Sequence, residues 1–377
     1  MIALAYCDAR GRIYDDVAST PLADGGIVRE PEAAELIAAP AGTVEMLLPG
    51  RHPLTTIGPA REGYALAAVL PAGYTRLLVP AYAKERGAPD LPLFGYAFAC
   101  FVNDRLHVAA AKTDESDDWK PRAFAAGELE SLIEQRLESD PENRVLRQVA
   151  LCSRDYGCFT AQNVFLERGE AALPVSPKCN ARCLGCISQL EPPTTVPSPQ
   201  VRIGYDASAE EIASVAVQHL ERVPDGIVSF GQGCEGEPLL RSTTIAAAIR
   251  LIREHRSSGT INLNTNGSMP DALERCIDAG LDAVRVSLNS FRPSVYAAYY
   301  RPIGYALDDV LESIRLAVRR GLRASLNLLT HPGVTDDEEE MAAAEAFLRD
   351  VPVAMVQTRT LNIDPEWYFG AAGRPRR

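Results

Sequence analysis

Short apolar runs alternate with turn residues along the first third of the chain. Runs of this kind, bounded by Pro, Gly, Asn or Asp, are typical of β-strands joined by tight turns. Asn103 and Asp104 separate two of the runs and predict a two-residue hairpin turn. The predicted strands are residues 2–6, 44–48, 76–79, 94–102 and 105–111. We therefore expect a β-rich domain over residues 1–125.

A different periodicity follows. Apolar residues recur at the three- and four-residue spacing of amphipathic helices. They form two sets on either side of Pro141: Leu129, Leu132, Ile133 and Leu137, then Val145, Leu146 and Val149. This pattern predicts a helical linker over residues 126–163.

Six strand–helix repeats are predicted in residues 164–377. Apolar runs alternate there with amphipathic segments, which indicates βα units and a parallel sheet. Helix starts are indicated by Ser208 with Glu211, by Ser268 before Pro270, and by Thr335 before the acidic residues 336–340, which we interpret as a helix first turn rather than a metal site. The predicted strands are residues 172–177, 227–232, 261–264, 283–288, 324–329 and 354–360.

Four of these strands carry polar side chains on one face. Because strand residues alternate between faces, the following share a side within each strand: Asn262, Asn264 and Asn266; Arg285, Ser287 and Asn289; Ser325 and Asn327; Gln357 and Arg359. A packed barrel has bulky apolar side chains inside, so these faces predict a wet lumen that holds a polar ligand. The alternative is that they face solvent on an open sheet.

Composition narrows the class of protein. Of 377 residues, 46% are hydrophobic and 23% charged, as in soluble globular proteins. No charge-free stretch reaches the roughly 20 apolar residues of a spanning helix, and the N-terminus lacks a signal-peptide pattern, so we expect a cytoplasmic protein without membrane segments. The net charge of -12 opposes non-specific attraction to nucleic acids and anionic membranes.

Three cysteines follow the first predicted strand of the repeats. Cys179, Cys183 and Cys186 have C-x3-C-x2-C spacing, in a chain with nine cysteines and no export signal. Three thiolates can ligate three irons of a cubane and leave one iron open to a further ligand. Zinc is the alternative, but it takes a fourth ligand, and no Cys or His follows within thirty residues.

This arrangement resembles the radical S-adenosylmethionine (SAM) superfamily over about residues 165–368. Residues 236–238 resemble that family's Gly-Gly-Glu-Pro element, and residues 264–267 resemble its Thr-Asn-Gly element. Residues 286–289 resemble a fourth strand that contacts the ribose or the methionine carboxylate, and Asn327 followed by residues 331–336 resembles a fifth-strand pattern. The resemblance implies that the cofactor-binding residues are Gly236, Glu237, Pro238, Asn264, Thr265, Asn266, Ser287, Asn289 and Asn327.

The implied fold is a partial (β/α)6 barrel, here preceded by a smaller β-rich α+β domain. The implied cofactors are a 4Fe–4S cluster held by the three cysteines and SAM bound to the open iron. In such enzymes an electron from the cluster splits the sulfonium, and a 5'-deoxyadenosyl radical takes hydrogen from the substrate. The implied electron donor is a flavodoxin- or ferredoxin-like protein.

Two positions depart from the family's pattern. Gly185 stands before the third cysteine, where the family usually has a bulky residue that contacts adenine. Glu235 stands before Gly236 where glycine is expected, which adds a second carboxylate near the cofactor.

Other cysteines and histidines are weaker candidates. Cys234, in the loop after the second strand, and His331, after the fifth, are the candidate catalytic residues, the first to quench or relay a radical and the second as an acid or base. Ordinary packing is the alternative for both. An auxiliary cluster is a further hypothesis for Cys152 and Cys158 with Cys7 and Cys100.

The sequence therefore predicts a radical SAM enzyme acting on an unidentified substrate. One alternative keeps this chemistry but makes the substrate a macromolecule, either a peptide or RNA. The other is a non-catalytic iron–sulfur or zinc sensor protein.

Overall fold

The computed structural model describes residues 2–60, 63–115, 126–192, 194–255 and 258–375. Its N-terminal part is β-rich, as predicted. The strands are β1 (Ile2–Cys7), β2 (Ile13–Asp16), β3 (Ala23–Asp24), β4 (Val28–Arg29), β5 (Leu36–Ala38), β6 (Val44–Leu47), β7 (Arg51–Thr55), β8 (Gly58–Pro59), β9 (Tyr64–Val69), β10 (Tyr74–Arg76), β11 (Val79–Pro80), β12 (Tyr82–Lys84), β13 (Tyr96–Val102) and β14 (Arg105–Lys112).

The largest N-terminal sheet has the order β10-β14-β13-β1-β9-β6, with β2 beside β1 and β5 beside β14. The predicted hairpin joins β13 to β14: Val102 pairs with Arg105, and Asn103 and Asp104 have φ of 49° and 60°. Positive φ at both turn residues gives the twist that suits a two-residue hairpin. The single strand predicted at 76–79 is wrong, because the chain changes sheets there and forms β10 and β11.

Three helices connect this region to the repeats: α1 (Ala126–Ser139), α2 (Arg144–Asp155) and α3 (Phe159–Leu166). Ile133, Val149 and Phe165 are fully buried in the same hydrophobic core as Leu173 and Phe230 of the parallel sheet. Residues 116–125, which include the predicted boundary at 125, lie outside the described residues. The division into 1–125, 126–163 and 164–377 stays a prediction.

The C-terminal part is a partial (β/α)6 barrel, as expected. Six parallel strands pair in chain order: β15 (Glu170–Leu173), β16 (Ile227–Phe230), β17 (Thr260–Thr265), β18 (Ala283–Leu288), β19 (Arg323–Thr330) and β20 (Met355–Thr360). The helices are α4 (Ala209–Arg222), α5 (Ser242–His255), α6 (Pro270–Asp278), α7 (Pro293–Tyr300), α8 (Leu307–Arg319), α9 (Glu338–Asp350) and α10 (Pro365–Ala372), with a 3-10 turn at Pro238–Arg241.

The two faces of the sheet differ as the alternation predicts. Val284, Val286 and Leu288 are fully buried, whereas Arg285 and Ser287 between them are half-buried. Strand register continues this polar face across the sheet, since Ser287, Asn327 and Gln357 are neighbours on three adjacent strands. The polar residues therefore line the concave side.

Two strands end earlier than predicted. β15 ends at Leu173 rather than at 177, and β16 ends at Phe230 rather than at 232. The backbone N–H groups that would have extended them donate instead to the carboxylate of Glu235. One side chain thus terminates both strands.

Helix starts follow the predicted caps in part. The Ser208–Glu211 capping box is present at α4. Ser268 is not a cap, since it accepts a hydrogen bond from Asn180 Nδ2. Thr335 is not a cap either, because its hydroxyl accepts from His331 N while Asp337 caps α9.

The N-terminal region packs on the end of the barrel formed by β20 and α10. Arg76 Nη2 donates to the carbonyl of Leu361 at 2.8 Å. Thr75 and Thr330 hydroxyls lie 3.3 Å apart. Among the described helices, none has the length and apolar content that a bilayer crossing requires.

Candidate functional site

A cavity lies where the polar ends of the parallel strands meet the cysteine loop, the segment that carries Cys179, Cys183 and Cys186. It contains two predicted cluster ligands, seven predicted cofactor-binding residues and four residues not predicted as ligands. The lining residues are Cys179, Ala181, Cys183, Gly231, Gln232, Gly236, Glu237, Pro238, Asn264, Thr265, Asn266, Ser287 and Tyr300. Elements far apart in sequence therefore converge here.

The cysteine loop is fixed to the end of α7 through backbone hydrogen bonds. Arg182 N donates to Tyr300 O and Leu184 N donates to Tyr299 O, both at 3.0 Å. Ala181 also forms an isolated antiparallel bridge with Pro302. The loop is therefore held in place by protein contacts alone.

The thiols of the loop lie close enough to influence each other. Burial raises the pKa of Cys183 well above its ordinary value, and the nearby Cys186 and Cys179 raise it further. Burial also raises the pKa of Cys179. Cationic iron would favour the thiolates that this environment disfavours.

Cys186, unlike Cys179 and Cys183, does not line the cavity. Its Sγ is 3.6 Å from Ser188 Oγ and 3.5 Å from Nη2 of Arg202. Sequence reasoning missed Arg202, because it lies sixteen residues beyond Cys186 in a segment without a motif.

The carboxylate of Glu237 joins the ends of two strands. Its oxygens accept hydrogen bonds from Leu239 N at 2.9 Å, Thr265 Oγ1 at 2.5 Å and Asn266 N at 2.8 Å. Burial raises the pKa of Glu237 to about 7, against these hydrogen bonds, which lower it. Glu237 therefore fixes the geometry of the cavity wall.

Glu235 has a structural role that the sequence did not reveal. One carboxylate oxygen accepts from Gly231 N and Gln232 N at 3.0 and 2.7 Å, and the other from Val175 N and Ser176 N, both at 2.8 Å. The side chain is 5% exposed. We call this arrangement the Glu235 clasp; it binds the chain after β15 to the loop after β16.

Gly236 allows that loop to approach the cysteine loop. A Cβ at this position would lie 2.0 Å from the carbonyl oxygen of Lys178, and the neighbouring Glu237 N donates to the same oxygen at 2.8 Å. Any larger residue would separate the two loops.

The unusual Gly185 is explained by packing. A Cβ there would meet the Tyr299 hydroxyl at 3.0 Å and the Asn362 carbonyl oxygen at 3.2 Å. Tyr300, beside Tyr299, lines the cavity, and its buried hydroxyl has no hydrogen-bond partner within the described ranges. Aromatic groups from α7 thus occupy the region beside the cysteine loop.

Below the cavity the lumen is polar and charged. Arg285 Nη1 donates to Asn264 Oδ1 at 3.1 Å and lies 3.5 Å from Glu170 Oε1. Glu170 also accepts from Ser229 Oγ at 2.5 Å. Arg359 of β20 lies near enough to feel both charges: desolvation and Arg285 lower its pKa, and Glu170 raises it.

Asn289 and Asn327 are predicted cofactor-binding residues that do not line the cavity. Asn289 Nδ2 donates to the hydroxyl of Tyr368 at 3.1 Å, and the side chain is fully buried. Asn327 lies on the lumen face beside Ser287 and Gln357. A role for either at the cofactor stays a prediction.

Cys234 points away from the cavity although its neighbours Gly231, Gln232 and Gly236 line it. It is 3% exposed and hydrogen-bonded to Cys152 of α2, a contact that, with burial, raises the pKa of Cys234. The packing alternative accounts for these surroundings, and a catalytic role for Cys234 stays a prediction.

His331 follows β19 but is 1% exposed and does not line the cavity. Its ring packs against Tyr368 and Phe369 at 4.7 and 4.8 Å, and Nδ1 contacts Pro332 O at 2.9 Å. Burial lowers the pKa of His331 well below its ordinary value, and the charge of Arg76 adds to this. The ring therefore has almost no access to solvent, and a catalytic role for His331 stays a prediction.

The hypothetical auxiliary cluster is not assembled. Cys7, Cys100 and Cys152 belong to three separate hydrophobic clusters. Across the described ranges, no three His, Cys, Asp or Glu side chains are grouped to hold a single metal ion. The three thiols of the cysteine loop are likewise not grouped around a single ion, which is compatible with a cubane because each thiolate of a cubane binds a different iron.

A known family matches part of the chain. Residues 173–344 match the model of the Radical SAM superfamily. These residues form a radical SAM domain. The domain contains the cysteine loop and all nine residues predicted at the cofactor, and the cofactors of its family are a 4Fe–4S cluster and SAM.

Curated relatives match about half of the chain. The FeMo cofactor biosynthesis protein NifB of Klebsiella pneumoniae is 27% identical over 221 residues, which are 54% of this chain and 46% of the relative. A GTP 3',8-cyclase of Heliobacterium modesticaldum is 30% identical over 166 residues, 44% of this chain and 47% of the relative. The chain thus covers less than half the length of these relatives.

Solved structures overlap with the chain at low similarity. They include native anSMEcpe with bound AdoMet, with 13% identity, a TM-score of 0.39 and coverage of 52% of both chains. Methylornithine synthase has 13% identity and a TM-score of 0.39, covering 68% of this chain and 70% of that one.

The residues present fit the cofactors of a radical SAM domain. The donor set consists of three thiols, which is the set for a cluster with one open iron. The adjoining cavity offers Ser287, whose hydroxyl forms no hydrogen bond to the described residues, and the unpartnered Tyr300 hydroxyl. These groups remain available to a polar ligand.

Proposed function

We propose that this chain is an enzyme that cleaves SAM reductively and abstracts hydrogen from a substrate in the barrel lumen. The observation that carries the proposal is the convergence of Cys179 and Cys183 with the ends of β16, β17 and β18 in one cavity. Once bound, the cluster would supply an electron and SAM the 5'-deoxyadenosyl group needed to take a hydrogen atom from the substrate.

The chain's own residues bind, orient and shield these groups. Cys179, Cys183 and Cys186 would hold the cluster. Glu237 and the Glu235 clasp keep the cavity wall in place before anything binds, so little ordering is left to the moment of reaction. The buried rings of α7 exclude water beside Cys183.

The test is anaerobic reconstitution with iron and sulfide, followed by dithionite and SAM. We expect 5'-deoxyadenosine from the wild type and none from the Cys183→Ala variant. Cys100→Ala is the matched control, because it removes a buried thiol in the N-terminal sheet. Wild-type product no higher than that of Cys183→Ala would overturn the proposal, and one zinc per chain without sulfide would favour a sensor instead.

We further propose a polar small molecule as the substrate rather than a peptide or RNA. Asn327 Oδ1, Gln357 Oε1 and Arg285 Nε are buried on the lumen side without hydrogen-bond partners in the part of the chain described. Unpaired buried polar atoms favour a ligand that pairs with them. The names of the relatives also point to cofactor biosynthesis and to GTP.

Label transfer separates these substrate classes. The enzyme is incubated with deuterated cell extract that has been divided by molecular size, and deuterium in 5'-deoxyadenosine is measured. We expect transfer from the low-mass fraction. Transfer from the macromolecular fraction alone would contradict a small substrate.

Electron delivery completes the proposed cycle. We propose a flavodoxin- or ferredoxin-like donor, because the reaction consumes one electron for each SAM that is cleaved. A reduced flavodoxin that replaces dithionite in the assay would support this partner, whereas failure of both flavodoxin and ferredoxin would contradict it.

A further inference from the structure

Arg202 is the cationic side chain that contacts a predicted cluster ligand directly. Its Nη2 donates to the Sγ of Cys186 at 3.5 Å, and its Nε donates to Ser188 Oγ at 3.2 Å. The Ser188 hydroxyl in turn donates to the carbonyl of Glu235 at 3.2 Å. The guanidinium is therefore oriented by two contacts on the same short segment.

The backbone on either side of Arg202 is anchored. Gln200 N donates to Ile187 O at 2.9 Å, and Ile203 N donates to Cys234 O at 2.9 Å. Ile203 is also buried, with 4% exposure. The chain around Arg202 is thus tied to the segment after Cys186 and to the loop after β16, so the contact with Cys186 does not depend on a free surface side chain.

The charge of Arg202 is not neutralised by a neighbouring acid. Within the described residues no Asp or Glu carboxylate pairs with it, whereas the nearby Arg241 pairs with Asp206 at 3.2 Å. The guanidinium therefore contacts Cys186 without a carboxylate partner among the described residues.

We propose that Arg202 raises the reduction potential of the bound cluster through its hydrogen bond to Cys186. This inference rests on the proposed function. Reduction adds one negative charge to the cluster and its thiolates, so a cation and donor at a ligand sulfur stabilises the reduced form more than the oxidised form. Arg202 is a positioning residue in this scheme, since it acts on the cluster through Cys186.

The experiment is a redox titration of reconstituted protein, in which the electron paramagnetic resonance signal of the reduced cluster measures the fraction reduced. We expect Arg202→Met to lower the midpoint potential so that the ratio of reduced to oxidised cluster falls at least tenfold at a fixed ambient potential, about 59 mV for one electron. Arg202→Lys keeps the charge and should shift less. Arg241→Met is the matched control, because it removes the same charge from a side chain that pairs with Asp206 rather than with a cysteine.

Equal midpoint potentials in the wild type and Arg202→Met, at equal iron and sulfide content, would overturn the inference while the proposed function stands. If Arg202→Met does not assemble a cluster, Arg202→Gln is compared with Arg202→Lys, and equal potentials in that pair overturn it. A wild type that binds no 4Fe–4S cluster overturns the proposed function and this inference together. A shift in Arg241→Met as large as that in Arg202→Met would also overturn it, since any nearby charge would then suffice.

Discussion

Arg51 of β7 and Asp364, which caps α10, form an ion pair with Nη2 and Oδ2 2.9 Å apart and with both side chains fully buried. Asp364 Oδ2 also accepts a hydrogen bond from Leu91 N at 3.0 Å. The pair ties the N-terminal region to the end of the barrel chain, and neither charge has access to water.

Arg51→Met should destabilise the protein by roughly 3–5 kcal/mol, because it leaves the Asp364 carboxylate buried without its cation. Lys84→Met is the matched control. Lys84 pairs with Glu366 at 2.7 Å, but both side chains are about one-third exposed, so its loss should cost less than about 1 kcal/mol. Urea unfolding measures both variants; equal destabilisation would show that burial of the first pair is unimportant.

Glu235→Ala should destabilise the chain by about 3 kcal/mol or more, because four backbone N–H groups lose their acceptor. We also expect it to abolish 5'-deoxyadenosine formation, since the loop that carries Gly236 is released. Glu210→Ala removes an exposed carboxylate from the first turn of α4 and serves as the control. A Glu235→Ala variant as stable as Glu210→Ala would contradict the clasp.

Tyr300→Phe should weaken SAM binding about three- to tenfold, which is the effect of losing one hydrogen bond, because the substitution removes a hydroxyl that is free to bond to the cofactor. Tyr305→Phe is the control, since its hydroxyl contacts Tyr296 at 3.2 Å and Tyr305 does not line the cavity. Equilibrium dialysis with reconstituted protein measures both. Unchanged affinity in Tyr300→Phe would show that the hydroxyl does not bind SAM.

His331→Asn should retain 5'-deoxyadenosine formation at the wild-type level. The imidazole is buried and lies outside the lining of the cavity, and burial lowers its pKa well below the ordinary value, so proton transfer by it is not expected. A loss of product with unchanged iron content and stability would restore His331 as an acid or base.

Acid should remove the contribution of the Arg144–Glu211 pair to stability. The hydrogen bond with Arg144 lowers the pKa of Glu211 from its ordinary 4.5 to about 2. Since the pKa of Glu211 is lower in the folded chain, the pair stabilises the folded state above pH 4.5, and this contribution disappears as the pH falls toward 2. The difference in unfolding free energy between the wild type and Arg144→Gln should therefore shrink between pH 5.5 and about pH 3 in urea titrations; a constant difference would contradict the shift.

Periodicity and turn chemistry predicted most of the fold because they act locally. The Asn103-Asp104 hairpin and the polar alternation through Arg285 and Ser287 depend on neighbouring residues, and both are present. Strand ends were predicted less well. The ends of β15 and β16 are set by Glu235, which lies sixty residues from one of them, and no local pattern encodes such a contact.

In the candidate site, too, the residues of local motifs were predicted and those placed by long-range contacts were not. Gly236, Glu237 and Thr265 belong to contiguous motifs, and the structure places them in one cavity. Side-chain direction was not predictable for Cys234 and His331, because a residue in a loop can face either the cavity or the core. Arg202 carries no motif, and only the folding of its segment onto Cys186 reveals it.

The Glu235 clasp also couples the positions of two segments of the barrel. The chain just before the cysteine loop and the loop after β16 are bound to a single carboxylate. A displacement of either segment must therefore carry the other with it or break these hydrogen bonds.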